Sequence, residues 1–158
     1  MLILKYYMSS LGGLFMIKKE KYQQAFIEAL KKESLKFTNQ RLAIFNETVY
    51  GKRHRECEEI LDSLKGRGVN VSRATVYRTL DILLKYDFIR KMDIGDGRIR
   101  YEGKIDHPHH DHMICVESGK IIEFVSDDIE NIQESIAKEH GYEIIKHIHQ
   151  LFVKPIKK

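Results

Sequence analysis

The chain has 158 residues, 42% of them hydrophobic and 32% charged, with two prolines; this excludes a disordered or fibrous polypeptide and allows one domain, or two small ones, with a buried core. The net charge of +4 conceals a division: residues 1–104 carry 21 Lys and Arg against 13 Asp and Glu (net +8), and residues 105–158 carry 6 against 10 (net −4). All nine arginines lie in the first part and seven of the eight histidines in the second, which points to a basic module suited to nucleic acid followed by a metal-binding one.

The first 17 residues are apolar but interrupted by Lys5, Ser9, Ser10, Gly12 and Gly13. They are too short to span a bilayer and no small-residue cleavage site follows, so neither a membrane anchor nor an export signal is expected. They are read as an N-terminal arm, or as residues upstream of a natural start at Met16. The two cysteines, Cys57 and Cys115, form no Cys-x-x-Cys pair and no disulfide framework, as in a cytoplasmic protein.

From Lys18, the spacing of Tyr22, Phe26, Ile27 and Leu30 predicts a first amphipathic helix. Thr38 is placed to cap a second, carrying Leu42, Phe45 and Val49. A third is expected over about Arg55–Lys65, with Ile60, Leu61 and Leu64 inward and a stop at Gly66 and Gly68. Ser72 caps a fourth, whose inward stripe is Val76, Leu80, Leu83 and Leu84. Two alternating runs joined through Gly95-Asp96-Gly97 then predict a β-hairpin. This element order in a basic segment is that of a winged helix-turn-helix, with the fourth helix suited to the major groove. Arg78 can reach guanine or phosphate, Tyr77 can pack on a thymine methyl, and Arg73 flanks them. Lys36, Arg41 and the wing residues Arg98 and Arg100 are candidates for positioning contacts to phosphate or the minor groove.

The second module reads as a hairpin (HMICV and KIIEFV) followed by a helix with Asp127 and Glu130 at capping-box spacing and Ile129, Ile132 and Ile136 inward. A final strand over YEIIKHIHQLFV closes it. The overall class is α+β: an N-terminal winged-helix domain (18–104) and a small C-terminal α/β dimerisation domain (105–158). The latter is too small to bury both faces of its sheet, so a second copy is expected to cover it.

The chemistry concentrates in His107-Pro-His-His-Asp-His112. Clustered imidazoles are costly to desolvate unless a metal compensates them. On an extended chain His110 and His112 share one side while His109 and Asp111 share the other, so the strand offers two half-sites. Glu102, Glu123 and Glu130, with His54, His147 and His149, are the donors available to complete them. Nitrogen and oxygen donors without thiolate suit Fe(II), Mn(II), Co(II), Ni(II) or Zn(II). His107, His109, Asp111 and His112 also satisfy H-x-H-x-D-H, a metallohydrolase motif, but that reading leaves the basic half unexplained.

Ser72-Arg-Ala-Thr-Val-Tyr-Arg-Thr-Leu80, Arg100-Tyr-Glu102, His109-His-Asp-His-Met-Ile-Cys115, Gly119-Lys-Ile-Ile-Glu-Phe124 and Ala137-Lys-Glu-His-Gly141, in this order, resemble the ferric uptake regulator (Fur) family of bacterial metal-responsive repressors. The resemblance covers about residues 20–153. It implies a non-enzymatic repressor that binds palindromic double-stranded DNA operators as a homodimer, or a tetramer, and controls metal-homeostasis genes. Tyr77 and Arg78 match the family's DNA-contacting pair and Lys36 its minor-groove lysine, with Arg41, Arg73 and Thr75 also expected at the DNA. His54, Glu102, His110, His112 and Glu123 match a regulatory site that ties the two domains together; His109, Asp111, Glu130 and His147 match a second site. Glu at 102 and 123 resembles the iron branch rather than the peroxide-sensing one, and the lack of a cysteine ligand speaks against the zinc branch; a manganese, zinc or peroxide sensor is the alternative. Where the family usually carries Cys-x-x-Cys motifs, this chain has Cys115-Val-Glu-Ser118 and the tail Lys154-Pro-Ile-Lys-Lys158. No structural four-cysteine zinc is therefore expected, and Cys115 is read as a small buried hydrophobe.

Overall fold

The computed structural model describes residues 18–51, 54–104 and 110–156; residues 1–17, including the expected arm and Met16, lie outside that description. The chain divides into two compact units, residues 1–106 and 107–158.

In the first unit, helix α1 covers 18–32 and is followed by α2 (Asn39–Val49), strand β1 (Arg55–Glu56), α3 (Cys57–Gly66), α4 (Arg73–Lys85), β2 (Ile89–Asp93) and β3 (Ile99–Gly103). Three aromatic rings organise the core. Phe26 of α1 stacks on Phe45 of α2 at 4.7 Å between centroids, and Phe88, just before β2, meets both edge-on at 6.1 and 5.7 Å. Such offset and edge-to-face geometry adds about 0.5–1.5 kcal/mol per pair to the gain from burial. Leu30, Ile44, Ile60, Leu64, Val76, Leu80, Leu83 and Ile89 complete the same core. Helix starts follow local capping: the Thr38 hydroxyl accepts from Arg41 N, and that of Ser72 from Thr75 N.

The third helix starts two residues later than the periodicity predicts. Arg55 and Glu56 instead pair antiparallel with Tyr101 and Arg100, giving a sheet of order β1-β3-β2. Two interactions move that boundary. Glu56 and Glu59 form a reciprocal capping box that begins α3 at Cys57, and Arg55 is drawn to α2, where its guanidinium donates to Glu47 Oε1 at 2.6 Å and to the Glu47 carbonyl at 2.7 Å. Ser63 Oγ donates to the same carboxylate at 2.7 Å, and Arg67 pairs with it. Gly51 and Gly103 allow the backbone to pack closely here, since a Cβ on either would overlap a backbone carbonyl oxygen, that of Glu47 or Val49.

The β2–β3 hairpin is the wing, in full register from Ile89 opposite Gly103 to Asp93 opposite Ile99. Gly95 and Gly97 both take positive φ at its tip, +81° and +74°. Arg100 grips Asp96 through both guanidinium nitrogens at 2.7 and 3.1 Å, and Arg98 lies 3.3 Å from Glu56. Both arginines expected at phosphate thus have carboxylate partners within the unit.

The second unit comprises β4 (Asp111–Cys115), β5 (Ile121–Phe124), α5 (Asp127–Glu139) and β6 (Gln150–Val153). Its sheet has the order β5-β4-β6, with β5 antiparallel and β6 parallel to the central β4. The final strand is only four residues rather than the expected run from Tyr142, because β4 offers partners only over that length: His112 faces Gln150 and Cys115 faces Val153. Helix α5 is capped by Ser126, whose hydroxyl accepts from Ile129 N, rather than by Asp127. Of its isoleucines, Ile129 is half-buried, but Ile132 and Ile136, expected inward, are 59% and 54% exposed. Cys115 is buried at the end of β4, where hydrogen bonds from Ser118 and the 117–118 backbone lower the pKa of its thiol.

Two outcomes are expected. Glu47→Ala leaves the largely buried Arg55 without its carboxylate, and removing one partner of such a pair costs up to about 3–5 kcal/mol; urea denaturation monitored by circular dichroism measures it. Asp96 titrates at about 2, because Arg100 holds its charged form. Arg100→Gln returns it toward 3.8, as read by NMR of the carboxyl carbon. With a depressed carboxyl pKa, whatever the pair adds to stability is present above about pH 4 and fades as pH falls toward 2.

Candidate metal centres and nucleic-acid interface

The first unit contributes two of the expected regulatory donors. Glu102 sits in β3, only 1% exposed, opposite Arg90 in the cross-strand register. Arg90 Nε donates to Glu102 Oε2 at 3.0 Å; a carboxylate so buried is tolerable only when paired in this way. His54 precedes β1 with φ +56°, a left-handed conformation uncommon for a non-glycine residue, and its Nε2 lies 3.6 Å from Glu102 Oε2. The β1–β3 pairing delivers His54 to Glu102, because Arg55, next in the chain, is opposite Tyr101.

The second unit contributes the other three. His110 and His112 are both buried, with ring centroids 4.9 Å apart and an interplanar angle of 69°. Glu123 is the register partner of His112 across the β4–β5 hairpin, and its Oε1 lies 3.7 Å from His110 Nε2. The opposite face of β4 carries Asp111, 2% exposed. Its Oδ1 lies 3.5 Å from His147 Nε2, which is also 3.5 Å from Glu130 Oε1 of α5. Asp111, Glu130 and His147 each offer an atom within 4.8 Å of the others. His109, expected with them, lies outside the described residues, as does His107.

These spacings suit a small divalent ion. Ligands about 2.1 Å from one ion stand roughly 3–3.5 Å apart, close to the 3.5–3.7 Å separations within both sets. The donors are imidazole and carboxylate throughout, a composition for borderline-hard divalent metals and unlike a thiolate site.

One available donor was assigned to neither set: His149, whose Nδ1 lies 3.1 Å from Asp111 Oδ2. The signal was the i, i+2 relation to His147 in an extended segment, which returns both imidazoles to one side. Arg90 was also missed, and its pairing with Glu102 follows only from the hairpin register.

The exposed face of α4 presents Arg73, Tyr77 and Arg78. The Arg73 guanidinium lies 2.7 Å from Glu58 and 5.7 Å from the centroid of the Tyr77 ring, so it steadies a tyrosine that is 40% exposed. Thr75 is half-buried and its hydroxyl is 2.9 Å from Ser72 Oγ, within the cap. Lys36 is exposed, and its carbonyl accepts from Arg41 Nη1 at 2.7 Å. No helix among the described residues is long and apolar enough to cross a membrane.

Comparison with known proteins gives this architecture a lineage. The model of the ferric uptake regulator family matches residues 32–152. The ferric uptake regulation protein of Campylobacter jejuni is 37% identical over 131 residues, covering 82% of this chain and 83% of that protein. Among solved structures, the Helicobacter pylori ferric uptake regulator, described as having three functional metal-binding sites, superposes with a TM-score of 0.77 at 34% identity, covering 86% of this chain and 90% of that one. The Pseudomonas aeruginosa regulator, solved with manganese, gives 0.71 at 32% identity over 81% and 96% of the two chains. Family members are transcription regulators, which sets the metallohydrolase reading aside. The chain belongs to the ferric uptake regulator family and is a metal-responsive regulator.

Proposed function

We propose that this regulator is an iron-sensing repressor acting in the cytoplasm, binding palindromic operators as a homodimer. The observation that carries the reading is the donor chemistry on the two faces of β4: imidazole and carboxylate at ligand spacing, with no sulfur among them. His54, Glu102, His110, His112 and Glu123 form the regulatory site, and Asp111, Glu130 and His147, with His109, form the second. A divalent ion bound at the regulatory site supplies a cross-link between donors from both domains. His54 and Glu102 then hold the winged-helix domain to the hairpin that carries His110, His112 and Glu123, which fixes the orientation of α4 for a half-site. Arg78 and Tyr77 contact base edges and backbone, while Lys36, Arg41 and Arg73 meet phosphate or the minor groove. The exposed Ile122 and Leu151, register partners of Met113 on one face of the sheet, and the exposed Ile132 and Ile136 of α5 support a second copy as the cover for this apolar surface.

Fe(II) is favoured by Glu at both 102 and 123, which resembles the iron branch of the family. Mn(II), Co(II), Ni(II) and Zn(II) bind the same donors, because affinity follows the Irving–Williams order.

Metal raises operator affinity by about 5–150-fold, the usual range of such coupling. In anaerobic gel-shift titrations with Fe(II), Mn(II) and Zn(II), His112→Ala is expected to bring that ratio to about one. A ratio unchanged by His112→Ala refutes the regulatory site. Arg78→Ala costs roughly 1–3 kcal/mol of operator affinity with metal present, and fluorescence anisotropy against operator and scrambled duplex separates this loss from general phosphate binding.

A further inference from the structure

His149 is attached to β4 twice. Its carbonyl accepts from His112 N at 3.3 Å, and its imidazole Nδ1 lies 3.1 Å from Asp111 Oδ2. The two contacts address adjacent residues whose side chains leave opposite faces of the strand. Asp111 therefore uses its carboxylate in two directions: Oδ2 is engaged by His149, while Oδ1 faces His147, with Glu130 beyond. Phe124, the register partner of Asp111, abuts the His149 ring edge-on, 5.9 Å between centroids, and limits its rotation. A buried carboxylate with one oxygen anchored has one orientation left, and here that orientation aims Oδ1 at the other donors.

We propose that His149 is a positioning residue for a divalent cation held by Asp111, Glu130 and His147: by donating from Nδ1 to Asp111 Oδ2 it presents Oδ1 to the ion in advance of binding. The inference rests on the reading of those three residues as the second metal site. Groups that hold a metal-bound carboxylate in place typically contribute 10–100-fold to metal affinity, because orientation that is already set is not lost on binding.

The test uses the full chain carrying His112→Ala, which disables the regulatory site so that the second site titrates alone. Mn(II) affinity is read by the disappearance of the free-ion electron paramagnetic resonance signal, and Zn(II) affinity by competition with a chromophoric chelator. In this background His149→Leu weakens both metals by about 10–100-fold. His149→Asn, whose amide places a donor near the position of Nδ1, stays within about threefold of the parent by the same measure. Thermal melts in chelator accompany each variant, and the Leu–Asn comparison is made on proteins that melt cooperatively. Equal affinity in parent and Leu variant overturns the proposal. So does an equal loss in the Leu and Asn variants, which would make the imidazole a ligand or a packing group instead of a donor to Asp111. Asp111→Ala and His147→Ala in the same background test the underlying reading separately. If neither alters metal uptake, the second site itself is refuted, whatever His149 does.

Discussion

An extended chain turns successive side chains to opposite faces, and through residues 110–112 that constraint governs the chemistry of the C-terminal unit. His110 and His112 are committed to one face and Asp111 to the other. A helix through the same residues would turn His110 and His112 about 200° apart, so the two imidazoles could not share one ion. Because β4 is the central strand of its sheet, both faces have neighbours able to complete a set. Glu123 arrives on one face by register from β5, and His147 and Glu130 arrive on the other from the approach to β6 and from α5. Each set draws on elements far apart in sequence, so each reports on the integrity of the fold around it.

The first unit meets a different demand, placing charge where a low dielectric would reject it. Glu102 is buried beside Arg90, and Glu47 beside Arg55 and Arg67. These pairs add ties beyond the aromatic core: Arg90 and Glu102 clasp the two strands of the wing, and Glu47 fastens α2 to β1 and to the region of α3. Replacing either carboxylate by a neutral residue leaves an arginine facing the interior, which is why such pairs cost more to break than they contribute when intact. They also carry His54 and Glu102 on backbone that has little freedom to shift.

Much of this was legible in the sequence, and the exceptions share a cause. Helices α1, α2 and α4, the wing, and the β4–β5 hairpin follow from periodicity, caps and turn residues, which are local signals. The alternation of donors at 110–112 was legible for the same reason. The start of α3 was not, because Arg55 answers to a carboxylate eight residues back and to a strand far ahead. The length of β6 depends on how much of β4 is free to pair, and no pattern within 142–153 records that. The outward isoleucines of α5 show a helical stripe read correctly as a stripe and wrongly as facing this chain's interior; a stripe marks an apolar face without saying what covers it. His149 was named as an available donor but assigned to neither set, because its relation to Asp111 appears only once β6 lies beside β4.

The parallel pairing of β6 with β4 bears on how the C-terminal unit assembles. The β4–β5 hairpin closes over one tight turn, with Gly119 in the left-handed region at φ +69°, and hairpins of this kind form in microseconds. Strand β6 must return past all of β5 and α5 before its first ladder bond, and the entropy of closing that larger loop falls due before any contact repays it. His110, His112 and Glu123 are therefore together as soon as the hairpin exists, while Asp111 and Glu130 wait for the end of the chain to bring His147. One strand thus carries two donor sets of different ages in the folding of the molecule, an early one made from neighbours and a late one that records completion of the sheet.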